Sequence, residues 1–310
     1  MSELTVLMSV YNGMKYLPGA VESILNQEVA DFELLIVNDG STDGSGDYLD
    51  RLKDRRVRVI HQANGGLSSA LNRGIEICRT PLLARMDADD LSLPGRLEKQ
   101  MQFLQAHPAI TVVGTQITNI TPRGSIGYSP PLPCRHESIH RHLLAGRHAL
   151  CHGSLMFRTD ALRRIGGYRV EDVGEDMDLY LRLCESCRAA NLDQVLYAYR
   201  IHPDSINSRS SRRCRLHYDH ARQNARCRAR GRSEIPFEQF LARQKHKPRW
   251  RRWADRMDEF AFGQYRKAIC EILDRRRIGG RIRLAFSACC SPSRTWGRLL
   301  RTLSGTGVTL

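Results

Sequence analysis

At 310 residues and 41% hydrophobic content the chain can bury a real core, which excludes a disordered or fibrous protein and allows one large or two ordinary domains. No apolar run of about 18 residues occurs, so a membrane-spanning helix is excluded too. The net charge of +15 is uneven: residues 1–200 carry 22 Lys plus Arg against 24 Asp plus Glu (net −2), residues 201–310 carry 26 against 9 (net +17), and two regions with different tasks are expected.

In chain order, Leu4–Val10 reads as a strand closed by the turn Tyr11-Asn12-Gly13. A helix follows from about Leu17 to Asn26, with Val21, Ile24 and Leu25 on one face. Further strands are expected at Phe32–Val37, Val57–Ile60 and Leu82–Met86, with helices near Ser45–Leu52, Leu67–Cys78 and Arg96–Ala106. Such alternation requires an α/β fold with a mostly parallel sheet flanked by helices, and ligands then bind outside the carboxyl ends of the strands. After a strand at Ile110–Val113, prolines and glycines interrupt the pattern, so Thr118–Pro133 is expected as loop or hairpin. A helix at His136–Leu144, a strand Leu155–Arg158 opened by Cys151-His152-Gly153-Ser154, a helix from Gly174 through Cys184 and a last strand Val195–Tyr199 complete this region.

The chemistry gathers at the strand ends. Leu82–Asp90 is an apolar run that stops in Asp87, Asp89 and Asp90, like charges that repel unless a cation sits among them. Hard carboxylate oxygens completed by substrate phosphates are the usual holders of Mg2+ or Mn2+. Taken singly, these features have plainer readings: an acidic turn with Asp90 capping a helix, turn chemistry in Asn38–Asp43, and first-turn acids answering the helix dipole at Glu175, Asp176 and Asp178.

Taken in order, S-V-Y-N-G (9–13), V-N-D-G-S-T-D (37–43), N-G-G-L-S-S-A-L-N-R-G (64–74), A-R-M-D-A-D-D (84–90) and G-E-D-M-D-L (174–179) give a set that resembles the family 2 glycosyltransferases, inverting enzymes of the GT-A fold. The resemblance covers about Leu4 to Ser208, and each motif alone would be weak. It implies a nucleotide pocket from the first-strand loop (Val10, Tyr11, Asn12), with Asp39 accepting from a uracil ring and Asn64, Asn72 and Arg85 nearby. It implies that Asp87 and Asp89, flanking Ala88, bind the ribose and a metal bridging the diphosphate, Mn2+ or Mg2+. Asp176 is implied as catalytic base, with Glu175 and Asp178 as runners-up. The segment Tyr199–Ser205 resembles the family's closing loop, making His202 a candidate metal ligand and Arg200 a diphosphate contact. The middle region builds the acceptor side, where His152 is favoured because the adjacent glycine leaves room for a ligand.

Beyond Ser208, arginines accumulate in helix-compatible sequence. Trp253, Met257, Phe260 and Ala261 recur at helical spacing, as do Ile278, Ile282, Ala285, Phe286 and Cys289, and then Trp296, Leu299, Leu300 and Leu303 after Pro292. Basic amphipathic helices of this kind suit an anionic membrane surface; the plainer alternative packs their apolar stripes on the catalytic domain, 1–208. Residues 1–13 lack the basic start and apolar stretch of a secretory signal, and ten cysteines are scattered without a disulfide framework, so a cytoplasmic setting is expected, peripheral to the membrane's inner face. Cys184 and Cys187, spaced like half a zinc site, lack a second pair and read as buried thiols.

The leading reading is therefore transfer of a sugar from a nucleotide-sugar, a UDP-sugar first, to a glycan or lipid-linked acceptor in cell-surface polysaccharide or lipopolysaccharide assembly. A sugar-nucleotide nucleotidyltransferase would need a Gly-rich basic loop after the first strand, which Val10-Tyr11-Asn12-Gly13 does not resemble. A nucleic-acid-binding protein would suit the basic tail but leaves the acidic strand ends unexplained.

Overall fold

The computed structural model describes residues 2–29, 31–127, 129–170, 173–202, 211–246, 248–273 and 277–291. They form two compact units, Met1–Ile117 with Leu132–Tyr199, and Thr118–Pro131 with Arg200–Leu310. The segment before Leu132 groups with the C-terminal helices.

The first unit contains β1 (Leu4–Val10), α1 (Leu17–Leu25), β2 (Glu33–Asp39), α2 (Ser45–Asp50), β3 (Val57–Gln62), α3 (Leu67–Ile77), β4 (Leu82–Asp87), β5 (Leu91–Ser92), α4 (Arg96–Ala106) and most of β6 (Ile110–Ile120). Strands β1, β2 and β4 are continuous apolar runs because helices cover both faces; Leu4, Val6, Met8, Leu34, Ile36 and Ala84 all lie in the core. Strand β1 is central to the parallel set, and its register pairs Val10 with Asn38 and Ser9 with Asp87. The three strands therefore end level, and the carboxylates of Asp39 and Asp87 are delivered to one edge.

The rest of the sheet departs from the parallel expectation. After β7 (Ile126–Gly127) and α5 (His136–Leu144) come β8 (Met156–Arg158), α6 (Thr159–Arg164), α7 (Glu175–Ser186) and β9 (Arg188–Arg200), and the strand order is β3-β2-β1-β4-β8-β6-β9-β5. Strand β8 runs antiparallel to both β4 and β6, pairing Leu83 with Phe157 and Val112 with Phe157. Strand β6 also outruns its expected end at Val113. Gly114 reads as a breaker, but its missing side chain is what lets the Asn191 side chain of β9 approach; a Cβ there would collide with Asn191 Oδ1.

The second unit contains a short hairpin, in which β7 pairs Ile126 with Ile120, and the helices α8 (Ser211–Arg228), α9 (Phe237–Lys245), α10 (Arg249–Leu273) and α11 (Arg277–Cys290). Helix α9 is stapled to α8 by Phe237 stacked on His217, with centroids 4.0 Å apart. Helices α10 and α11 lie antiparallel, joined by Ser287 Oγ donating to the Ala261 carbonyl at 2.8 Å and by Phe260 against Phe286. The expected stripe at Trp296, Leu299, Leu300 and Leu303, and the loop residues Asp204 and Ser205, lie outside the described residues.

Asn191 Nδ2 donates to the carbonyls of Pro133 and Ala149 at 2.7 and 2.8 Å, so Gly114→Ala must push this amide off both. A loss of about 1–3 kcal/mol in unfolding free energy is expected from such overpacking. Urea unfolding measures it, and an unchanged midpoint would refute the account of Gly114.

Candidate active site

The site is built up from the end of β4. Arg85 is 2% exposed and forms an ion pair with Asp87, two residues along the same strand and so on the same face. Burial works against the guanidinium's charge, but the Asp87 carboxylate raises its pKa and keeps it a cation. For Asp87 burial raises the pKa, Arg85 opposes the rise and Asp89 adds to it; the net shift is upward.

A second buried cation supports this strand from behind. Arg96, fully buried in the first turn of α4, donates from Nη2 to the Arg85 carbonyl at 2.7 Å and from Nε to Gln100 Oε1 at 3.1 Å. Its guanidinium lies 5.0 Å from the centre of the Tyr197 ring. Gln100 passes the hold onward, donating to the Val113 and Ser154 carbonyls at 2.7 and 2.9 Å. Burial pulls the Arg96 pKa down to about 10, which still leaves it charged at neutral pH. The Tyr197 hydroxyl accepts from the Asp87 backbone N–H at 3.3 Å.

The turn His152–Ser154 closes over this pair. A Cβ on Gly153 would collide with the Tyr197 hydroxyl and reach within 2.6 Å of Asp87 Oδ2. The space beside His152 is therefore filled by Tyr197 and Asp87, a correction to the expectation that Gly153 leaves room for a ligand. Cys151, next to it, is a free thiol whose pKa is raised by burial and by Asp90 and Asp87.

His152 Nε2 and the Tyr168 hydroxyl share a 2.6 Å hydrogen bond, while Nδ1 lies 3.6 Å from Glu175 Oε1 at the start of α7. Burial, with Arg85 adding repulsion, lowers the His152 pKa well below its ordinary value, so the imidazole is neutral. Glu175 is 6% exposed; burial, with Asp176 adding repulsion, pushes its pKa up to about 8. Arg85 and Asp87 also act on it electrostatically, so the end of β4 and the start of α7 face a common space.

Asp39 organises the neighbouring loop. Its Oδ1 accepts from Gln62 Nε2 at 2.8 Å and from the Gly65 N–H at 2.9 Å, and its Oδ2 from the Gly66 N–H at 2.8 Å and Asn64 Nδ2 at 3.3 Å. Four donors occupy the acceptor positions of the carboxylate. The first-strand loop is laced to the second in the same way: Asn12 N–H donates to Ser41 Oγ at 3.0 Å and Asn12 Oδ1 accepts from Thr42 N–H at 2.8 Å.

Among the described residues no three His, Cys, Asp or Glu side chains group as a closed metal site. Acids that raise one another's pKa, with Arg85 already paired, suit a divalent cation held by one or two carboxylates and completed by substrate oxygens, the usual Mg2+ or Mn2+ arrangement.

The family model for glycosyl transferase family 2 matches residues 5–166, over half of the chain and all of the strand ends just described. The chain belongs to glycosyltransferase family 2. Its relatives include the O-antigen biosynthesis glycosyltransferase WbnJ of Escherichia coli, 36% identical over 65% of this chain and 81% of that protein. Another is the amylovoran biosynthesis glycosyltransferase AmsE of Erwinia amylovora, 31% identical over 66% of this chain and 79% of that protein. Among solved structures, S. aureus TarS 1-349 in complex with UDP-GlcNAc is similar over 93% of this chain and 91% of that one, with a TM-score of 0.62 at 14% identity. The mannosyltransferase PcManGT from Pyrobaculum calidifontis, in complex with GDP-Man and Mn2+, is similar over 96% and 80%, with a TM-score of 0.56 at 16% identity. Both likenesses confirm the GT-A architecture of the glycosyltransferase.

The expected site residues have different fates. Asp87, His152, Glu175 and Asp176 come together, and Asp39 and Asn64 form the adjoining loop. Two are committed otherwise than expected. Arg85 is paired with Asp87 while its Nε finds no hydrogen-bond partner among the described residues, and Asn72 uses both ends of its amide on the Tyr168 backbone, at 2.8 and 2.9 Å. Asp178 is removed as a runner-up base: Arg169 and Arg182 each bond it at 2.8 Å, and its pKa is lowered despite burial. Val10 is buried, Ala88 packs on the core and Tyr11 is exposed. Arg200 and His202 belong to the second unit, where Arg200 Nη1 donates to the Thr121 carbonyl at 3.1 Å. The sequence reading missed Arg96, Gln100, Tyr168 and Tyr197, although Tyr168 closes a Gly-Gly-Tyr turn that signals a close approach.

Between pH 4.5, the ordinary value for Glu175, and about 8, the folded protein keeps a proton that the unfolded chain has released, so this group costs stability as pH rises through that window. Glu175→Gln removes the term. Melting temperatures of wild type and variant should diverge from pH 5 to pH 8, the wild type losing ground; parallel curves would refute the burial-raised carboxyl.

Proposed function

We propose that the protein is an inverting, metal-dependent glycosyltransferase that moves a hexosyl or N-acetylhexosaminyl group from a UDP-sugar to a glycan or lipid-linked acceptor in cell-surface polysaccharide or lipopolysaccharide assembly. It works at the cytoplasmic face of the membrane. The observation that carries this reading is the meeting of Asp87, Glu175 and Asp176 across one space, at an edge where Asp39 and the Gly65-Gly66 loop stand ready for a nucleotide. The names of WbnJ and AmsE support the polysaccharide setting, and the ligands held by TarS and PcManGT support a nucleotide-sugar donor and a divalent cation.

In this reading the donor's uracil reaches Asp39 by exchanging with the Gln62 amide, because a side chain can turn away whereas the Gly65 and Gly66 N–H groups cannot. Val10, Tyr11, Asn12 and Asn64 line the base and ribose, and Asp87 meets the ribose. Asp89 would hold Mn2+ or Mg2+, which when bound would supply charge that stabilises the departing diphosphate more in the transition state than in the ground state. Asp176 takes the proton from the acceptor hydroxyl as that oxygen bonds to the anomeric carbon. The bond from that carbon to the diphosphate oxygen breaks in the same displacement, and configuration inverts. Glu175, uncharged at neutral pH, presents a hydrogen-bonding group to the acceptor side without competing for the proton, with the neutral His152 beside it.

UDP release across a panel of UDP-sugars, with Mn2+ or Mg2+ and a soluble acceptor, measures the activity. Asp176→Asn is expected to lower kcat by about 10²–10⁴-fold with donor binding retained, the loss typical of a general base. Asp89→Ala should weaken donor binding in the presence of metal, and EDTA should stop turnover. Full activity in Asp176→Asn would overturn the assignment of the base.

A further inference from the structure

Helices α8, α9 and α10 of the second unit line a half-open cavity of about 700 Å3, and none of its lining residues has a part in the proposed transfer. One wall is aromatic: Trp250 and Trp253, three residues apart on one face of α10, are 65% and 66% exposed. Leu216 and Leu241 continue the apolar lining, and Arg212, Lys245 and Arg256 stand around it. Three acids, Asp219, Asp255 and Glu259, face the four bases Arg212, Arg215, Lys245 and Arg256; Asp255 accepts from Arg215 at 2.9 Å, and Asp219 is paired with Arg222, which is outside the lining. The balance of charge facing the cavity is therefore positive.

The aromatic wall extends beyond the cavity. Phe260, further along α10, touches Phe286 of α11 with centroids 5.8 Å apart, and Ile282 and Ile278 follow at helical spacing on α11. All four are exposed, with Ile278 at 79%. A continuous strip of bulky apolar side chains runs over two packed helices from a cationic cavity. A molecule that matches both parts has a negative head and an apolar tail, and soluble nucleotides or sugars match only the first.

We infer that this cavity binds the phosphate headgroup of an anionic phospholipid, with the strip from Trp253 through Phe286 to Ile278 lying against the acyl chains. Arg212, Lys245 and Arg256 meet the phosphate, and Trp250 and Trp253 sit at the level where head and chain join, the depth that indole rings favour. The inference rests on the reading that the enzyme works beside a membrane, and it can fail while sugar transfer stands.

The test uses the full chain and flotation with vesicles of phosphatidylcholine alone or mixed with phosphatidylglycerol. Wild type should float with the mixed vesicles at low salt and not with phosphatidylcholine alone. The triple variant Arg212→Gln, Lys245→Gln, Arg256→Gln should lose about 100-fold in vesicle affinity, as three basic groups near an anionic surface would give. Trp250→Ala with Trp253→Ala should lose about tenfold or more, because salt-insensitive insertion goes with the rings. A charge-matched control, Arg226→Gln with Arg230→Gln and Arg232→Gln, should stay within about threefold of wild type. UDP release measured on the same preparations, with a soluble acceptor, should be unchanged, which separates failure here from failure of the transferase reading; thermal melts confirm folding. Equal losses in the control and cavity variants, displacement from vesicles by millimolar inorganic phosphate, or binding of duplex DNA that the cavity variants abolish would each overturn the inference.

Discussion

The structure of the active site depends on two arginines that are almost wholly out of water at the end of a central strand. A lone buried cation is costly, and here each is provided for differently: Arg85 by the carboxylate of Asp87, Arg96 by a carbonyl, an amide and the face of Tyr197. The arrangement fixes the backbone of β4 from Arg85 to Asp87 before any ligand arrives. Asp87 is paired with Arg85, and the acids around it, Asp89, Glu175 and Asp176, crowd one edge, where Glu175 keeps its proton at neutral pH. The local pKa shifts record the crowding that results.

Preorganisation of this sort is also visible at Asp39. A carboxylate that already holds four donors shapes the Gly65-Gly66 loop in the free protein, so a nucleotide bound there as proposed would meet a formed surface. Less ordering is then lost on binding, and affinity is gained through avoided entropy as much as through contacts. The neutral pair His152 and Tyr168, joined at 2.6 Å, does the same for the opposite wall.

Much of this was legible in the sequence, for physical reasons that can be named. Strands β1 and β4 are short uninterrupted apolar runs bounded by turn residues, and the acids of the site stand at strand ends and at a helix start, where patterns change abruptly. Helices α4 and α5 fall where the 3.6-residue period places them. The first half of β9 was missed because Leu192, Asp193 and Gln194 are partly or fully exposed, so the segment alternates poorly and resembles a turn. Arg96 was missed because, within R-L-E-K-Q, an arginine reads as a solvated helix face. Its partners Arg85 and Tyr197 are brought to it by the sheet, and no spacing rule connects them. Arg85 shows what strand spacing does reveal: a carboxylate two residues along stands on the same face and pairs with it.

Cys151 lies against this machinery, and its environment decides how it behaves as a thiol. Burial and the nearby Asp87 and Asp90 hold it in the protonated form. Electrophiles and oxidants that react through thiolate therefore find a poor nucleophile there, and sulfenic acid formation is slow. A transferase with a cysteine beside its acidic edge can in this way meet peroxide without losing the geometry on which catalysis rests.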